Sequence, residues 1–175
     1  MKLPGGGTLP DPAGVMKRPG GGTPNGRSRF GAATGVGAFL HGAVDMKIKL
    51  ISVYVDDHEK ALRFYTEVLG FTKKADFSNG PYRWLTVVSP EDRDGPELQL
   101  ALNDNPAAKA YQQALYQQGQ PAVMLFTDDI KADHERIEAR GGAFTMPPTD
   151  VTASTIAKLD DGCGNLIQLT QLARW

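Results

Sequence analysis

Cysteine is nearly absent from this chain. Cys163 stands alone, so no intrachain disulfide can form, and the usage is that of a reducing, cytoplasmic compartment. Long apolar runs are missing too: no stretch approaches the roughly 20 residues a membrane-spanning helix needs, which argues against a membrane partner. Charge of one sign is not in excess either. The net value of −1 at pH 7 removes the electrostatic case for nucleic acid or an anionic lipid surface. Histidine is scarce, with only His41, His58 and His134, and no Ser-His-Asp set can be assembled by spacing.

Glycine and proline are not scarce, and they crowd the first 45 residues. MKLPGGGT at Met1 returns as MKRPGGGT at Met16. Such composition offers little apolar surface to offset chain entropy, so residues 1–45 are expected to be a disordered leader with His41 solvated. Its GGGT has no preceding strand and no lysine in the needed position, so it is a weak match to a phosphate-binding loop. The run FGAATGVGAFLHGAV after Arg27 and Arg29 is thinned by Gly35, Gly37 and His41, a poor secretion signal. Five basic residues against two acidic ones make this leader positive and leave the body mildly acidic.

From Met46 the pattern changes. In ISVYVDDHEKALRFYTEVLGF, Ile51, Val53 and Val55 alternate with Ser52 and Tyr54, which predicts a strand with Ile51, Val53 and Val55 facing a core. Asp56-Asp57 can cap a helix, Leu62, Tyr65 and Leu69 recur at helical spacing, and Gly70 can end it. Strands are expected over 71–77, 82–88 and 97–102, completing a β-α-β-β-β module at about 46–102. A connector over 103–120 holds a short helix from Pro106, with Ala107, Ala110, Tyr111, Ala114 and Leu115 as its apolar stripe. The order then repeats over 121–172: a strand at 122–127, a helix after Asp128-Asp129 stopped at Gly141-Gly142, a short strand over 143–146 broken by Pro147-Pro148, and strands over 151–159 and 166–171.

The halves align by fixed offsets. Asp57 answers Asp129 and Gly70 answers Gly142 at a spacing of 72, while Leu98-Gln99-Leu100 answers Ile167-Gln168-Leu169 at 69. Each module has one helix to cover one sheet face. The other face must find a partner or curve round a ligand, within one chain or across a homodimer. The expected class is therefore α+β: one domain over 46–175 made of two tandem modules, with curved mixed sheets around a cavity.

Paired modules of this kind, carrying VYVDDHEKALRFYTEVLGF in the first and DDGCGNLIQL closing the second, resemble the vicinal oxygen chelate superfamily. That group includes glyoxalase I, extradiol dioxygenases and the fosfomycin- and bleomycin-resistance proteins. In its metal-dependent members each module supplies one ligand from its first strand and one from its last. Carried onto this sequence, those positions are Leu50, Gln99, Ala122 and Gln168. Leucine and alanine have no donor atom, and a neutral amide is a poor ligand for a divalent transition metal, so neither a metal nor another cofactor is expected. His58, in the first turn of its helix, is read as exposed, and His134 as turned away from the cavity.

Alternation places Leu50, Ser52, Tyr54, Glu97 and Gln99 on the cavity side of the first module, with Trp84 beside them. Ala122, Met124, Phe126 and Gln168 take that side in the second. Such a lining suits a small organic ligand with a polar edge. The expected function is ligand binding without a metal, of the resistance or sequestration type, in a homodimer. A glyoxalase-like lyase or isomerase is the rival reading, and a dimeric scaffold without catalysis the third. Cys163 lies in the turn over 161–165 with no basic neighbour in sequence to activate it.

Overall fold

The computed structural model describes residues 46–173, so the leader and His41 lie outside the described residues. The first module runs β1 (Leu50–Val55), α1 (His58–Arg63), a π-helical turn (Phe64–Val68), β2 (Thr72–Asn79), β3 (Tyr82–Val88) and β4 (Glu97–Leu102). The helix α2 (Pro106–Gln117) connects it to β5 (Pro121–Phe126), α3 (Ile130–Ala139), β6 (Ala143–Val151), β7 (Ser154–Asp160) and β8 (Leu166–Leu172). Each module forms a four-stranded mixed sheet, in the orders β1-β4-β3-β2 and β5-β8-β7-β6. In both, the first strand pairs parallel to the last: Val53 lies opposite Leu100, and Leu125 opposite Leu169. The duplication is therefore structural as well as sequential.

Both module helices start alike. Asp57 accepts the N–H of Lys60 at 2.8 Å, and Asp129 that of Ala132 at 3.0 Å. They end differently. The π-turn, with Leu69 N–H donating to the Phe64 carbonyl, fits one more residue into the first helix. The left-handed stop accordingly falls at Gly70 (φ +89°) in one module and at Gly141 (φ +86°) in the other. Gly142, the expected counterpart of Gly70, serves close approach instead: a Cβ there would sit 2.3 Å from Ile137 Cγ2.

The two modules share one hydrophobic core. Val53, Val55, Leu85, Val87 and Leu100 of the first sheet, Ala157, Leu159, Ile167 and Leu169 of the second, and Tyr65 and Ile137 from the helices belong to a single buried cluster. Arg136 on α3 donates to the Leu69 carbonyl at 3.1 Å, tying one helix to the end of the other. The modules thus meet through their helix sides.

Several expectations need correction. Ile51 is not core but 55% exposed, at the rim of a small crevice it shares with Leu98, Val123 and Leu125. The α2 stripe is also wrong: Ala107, Ala110, Tyr111 and Ala114 face solvent, and Ala108 and Gln112 are the buried residues. β6 runs through Pro147-Pro148 without a break, because an edge strand tolerates missing N–H donors and the register shifts there absorb the geometry. His58 is half-buried, its Nε2 donating to the Leu100 carbonyl at 3.1 Å.

Candidate functional site

On the first sheet, Val53 and Val55 are buried toward the helices, and period two turns Leu50, Ser52 and Tyr54 to the opposite face. Register brings Leu50 opposite Glu97, Ser52 opposite Gln99 and Tyr54 opposite Ala101. The Gln99 amide is fixed from both ends: Ser52 Oγ donates to its Oε1 at 2.7 Å, and its Nε2 donates to Tyr82 Oη at 3.0 Å. Thr86, opposite Gln99 on β3, donates to Glu97 Oε2 at 2.6 Å. Trp84 stacks on Phe77, with ring centroids 6.1 Å apart and planes 15° from parallel. The six expected residues of this module therefore form one surface. It is aromatic at the β2–β3 end and polar at the β1–β4 end.

The second sheet repeats the plan with different chemistry. Met124 lies opposite Gln168, and Gln168 opposite Lys158, which lies opposite Met146. Phe126 lies opposite Thr170, and Gln168 Nε2 donates to Thr170 Oγ1 at 3.1 Å. Ala122 falls in a register shift between Pro121 and Val123. This face is apolar and open, with Met124 58% and Phe126 68% exposed.

The two surfaces lie on separate sheets and approach one another only at a small crevice, where Glu97 and Met124 both line the wall. Each lies on the side of its sheet away from the shared core, so the ten expected residues sort into a set of six and a set of four. Neither of two depressions on the chain gathers them. A groove of about 620 Å³ between the modules, lined by Phe71, Pro90, Asp129, Arg136 and Leu172 among others, includes only Phe126 of the ten. The crevice beside Ile51, about 190 Å³, includes Glu97 and Met124.

Sequence reasoning missed Phe77, Tyr82 and Lys158. Their value lies in cross-strand neighbours, which need the sheet order. It also missed the polar junction between the modules. Gln112 Nε2 donates to the carbonyls of Tyr54 (2.8 Å) and Cys163 (2.9 Å), while its Oε1 accepts from Asn103 Nδ2 at 2.6 Å. Asn165 Nδ2 reaches the same Tyr54 carbonyl at 2.7 Å and Asp161 Oδ2 at 2.6 Å. Burial raises the Asp161 carboxyl above its usual range despite these donors, and pushes the Cys163 thiol up, so Cys163 offers no reactive thiolate. His134 sits against Phe144, ring centroids 4.2 Å apart.

The metal of related proteins has no fitting donors here. Leu50 and Ala122 bring none, and both polar atoms of the Gln99 amide are already engaged. Among the described residues, no three His, Cys, Asp or Glu side chains converge.

Residues 47–169 match the model of the Glyoxalase/Bleomycin resistance protein/Dioxygenase superfamily. The chain belongs to that superfamily. Among superfamily proteins of similar sequence is Bacillus subtilis YurT, itself described only as uncharacterized. It is 49% identical over 126 residues, covering 72% of this chain and 99% of that one. A probable lactoylglutathione lyase of Vibrio cholerae is 28% identical over 123 residues, 67% of this chain and 84% of its own. Among solved structures, TnmS3, an antibiotic binding protein from Streptomyces sp. CB03234, superposes with a TM-score of 0.59 at 31% identity, covering 74% of this chain and 98% of that one. The superfamily fold thus accommodates both a binding protein and an enzyme by name.

Proposed function

We propose that this protein binds a small organic molecule without a catalytic metal, as a sequestering member of its superfamily. The observation that carries the reading is the state of the four positions where a metal would be held. Two are aliphatic, and the Gln99 amide is tied into a Ser52–Gln99–Tyr82 relay that leaves an aromatic surface beside it. Amides do not exchange protons near neutral pH, so Gln99 and Gln168 are not general acids or bases. Stacking area with a few fixed hydrogen-bonding groups is instead what an organic ligand needs. The likeness to an antibiotic-binding protein supports the same reading.

Because each surface lies on the outer face of its own sheet, the cavity of this proposal is completed by a second copy, the first-module surface of one chain facing the second-module surface of the other. The exposed Tyr54, Met124 and Phe126 are then covered in the homodimer. The compartment of the proposal is the cytoplasm, in keeping with the single cysteine held as a buried free thiol.

The test is a thermal-shift screen of aromatic and charged organic compounds, run beside elemental analysis and an assay of the methylglyoxal–glutathione adduct with added metals. A ligand at a hundred times its Kd should add about 3 kcal/mol to stability. About one bound metal per chain with lyase turnover favours the enzyme reading. No shift with any compound, in a tight dimer, favours the scaffold.

A further inference from the structure

Each site surface carries one charged residue, next to the central row on the first sheet and within it on the second. On the first sheet the row runs Ser52, Gln99, Thr86, Ala75, and Glu97 next to it is engaged by the Thr86 hydroxyl. On the second the row runs Met124, Gln168, Lys158, Met146. Lys158 occupies the register position of Thr86, but here an ammonium is set between a methionine and a glutamine amide. Its Nζ donates to the Gly119 carbonyl at 2.7 Å. An ammonium has three N–H donors, so two remain. Among the described residues no carboxylate lies within ion-pair distance of it. The acid on the same strand face, Asp160, is taken by the Tyr116 hydroxyl and the Gly162 N–H.

A half-buried cation without a counter-charge, on an apolar face, is satisfied by an anion supplied from outside. Resting on the cavity reading above, we propose that the ligand is an organic anion, and that Lys158 recognises its acidic group. The body of the ligand lies on Met124, Phe126 and the aromatic surface of the other module. Its carboxylate, sulfonate or phosphate takes the two free N–H groups of Lys158, with the Gln168 amide alongside. The tie to Gly119 holds the ammonium in place, so its reach is fixed before the ligand arrives.

Two fluorescent probes of nearly the same shape test this: anilinonaphthalene sulfonate, which is anionic, and phenylnaphthylamine, which is neutral. Titrations use the full chain as wild type, Lys158→Met and Lys158→Arg. The expected result is saturable binding of both probes by wild type. Lys158→Met should weaken the sulfonate roughly tenfold while the neutral probe keeps its affinity, and Lys158→Arg should restore the sulfonate. Equal weakening of both probes in Lys158→Met overturns the assignment, because the loss is then of the face and not of the charge. Unchanged sulfonate binding in Lys158→Met overturns it too, and leaves the cavity reading standing if both probes still saturate. Failure of wild type to bind either probe overturns the cavity reading and this assignment with it.

Discussion

At the scale of single residues, two polar groups carry more weight than their neighbours. Arg83 forms a two-pronged pair with Asp76, Nε to Oδ1 at 2.8 Å and Nη2 to Oδ2 at 2.9 Å, and also reaches Glu59 on α1. Arg83 foremost, with Lys73, holds the Asp76 carboxyl well below its ordinary 3.8. A carboxylate depressed in the folded state stabilises above its unfolded pKa, and that contribution is lost as pH falls through the lower folded value. Asp76→Asn should cost about 0.5–1 kcal/mol at pH 7, because the pair is near the surface and screened. The gap from wild type should narrow below pH 3.8, read from urea midpoints at both pH values. Gln112 is the other case. Gln112→Leu strands Asn103 Nδ2 and the Cys163 carbonyl at a buried junction, and should destabilise by about 2 kcal/mol in the same measurement. In the sequence Gln112 looks like one more polar residue on a helix. The expected stripe of Ala107, Ala110 and Tyr111 had the right period and the wrong phase, because α2 docks through hydrogen bonds more than through apolar area.

At the scale of elements, the duplication can be tested at its caps. Asp57→Ala and Asp129→Ala remove equivalent oxygens, and both should lower the urea midpoint by a similar amount. The helix ends should not behave alike. Gly70→Ala forces a side chain into the left-handed region and should cost about 1–2 kcal/mol. Gly142→Ala acts by collision with Ile137 Cγ2, so Ile137→Ala/Gly142→Ala, which removes that atom, should be less destabilised than the sum of its two singles. Paired urea denaturation of singles and doubles distinguishes strain from collision. The one-residue difference between the helix stops, caused by the π-turn, could not be seen in the sequence. The letters there are ordinary helix formers, and the extra residue is accommodated only by the hydrogen-bond pattern.

At the scale of the whole molecule, the outward faces set the expectation. A chain showing Tyr54, Met124 and Phe126 to water on the outer faces of its two sheets should self-associate through them. Analytical ultracentrifugation should find a dimer at micromolar concentration, and Phe126→Glu should shift it toward monomer without unfolding it. A monomeric wild type would remove the completed cavity from the proposal.

The sequence by itself determined the order of elements and their duplication, because alternation, caps and glycine stops are local properties written in neighbouring letters. It also determined which residues share each site face, since period two follows from strand geometry alone. Tertiary structure decided what the two faces do with one another. That the modules share one core on their helix sides, and so leave Leu50, Gln99, Ala122 and Gln168 on the outer faces of two separate sheets, depends on which apolar surface is buried against which. No local pattern encodes that choice. The same holds for Lys158, whose chemistry comes from Gln168 and Met146, neighbours supplied by other strands.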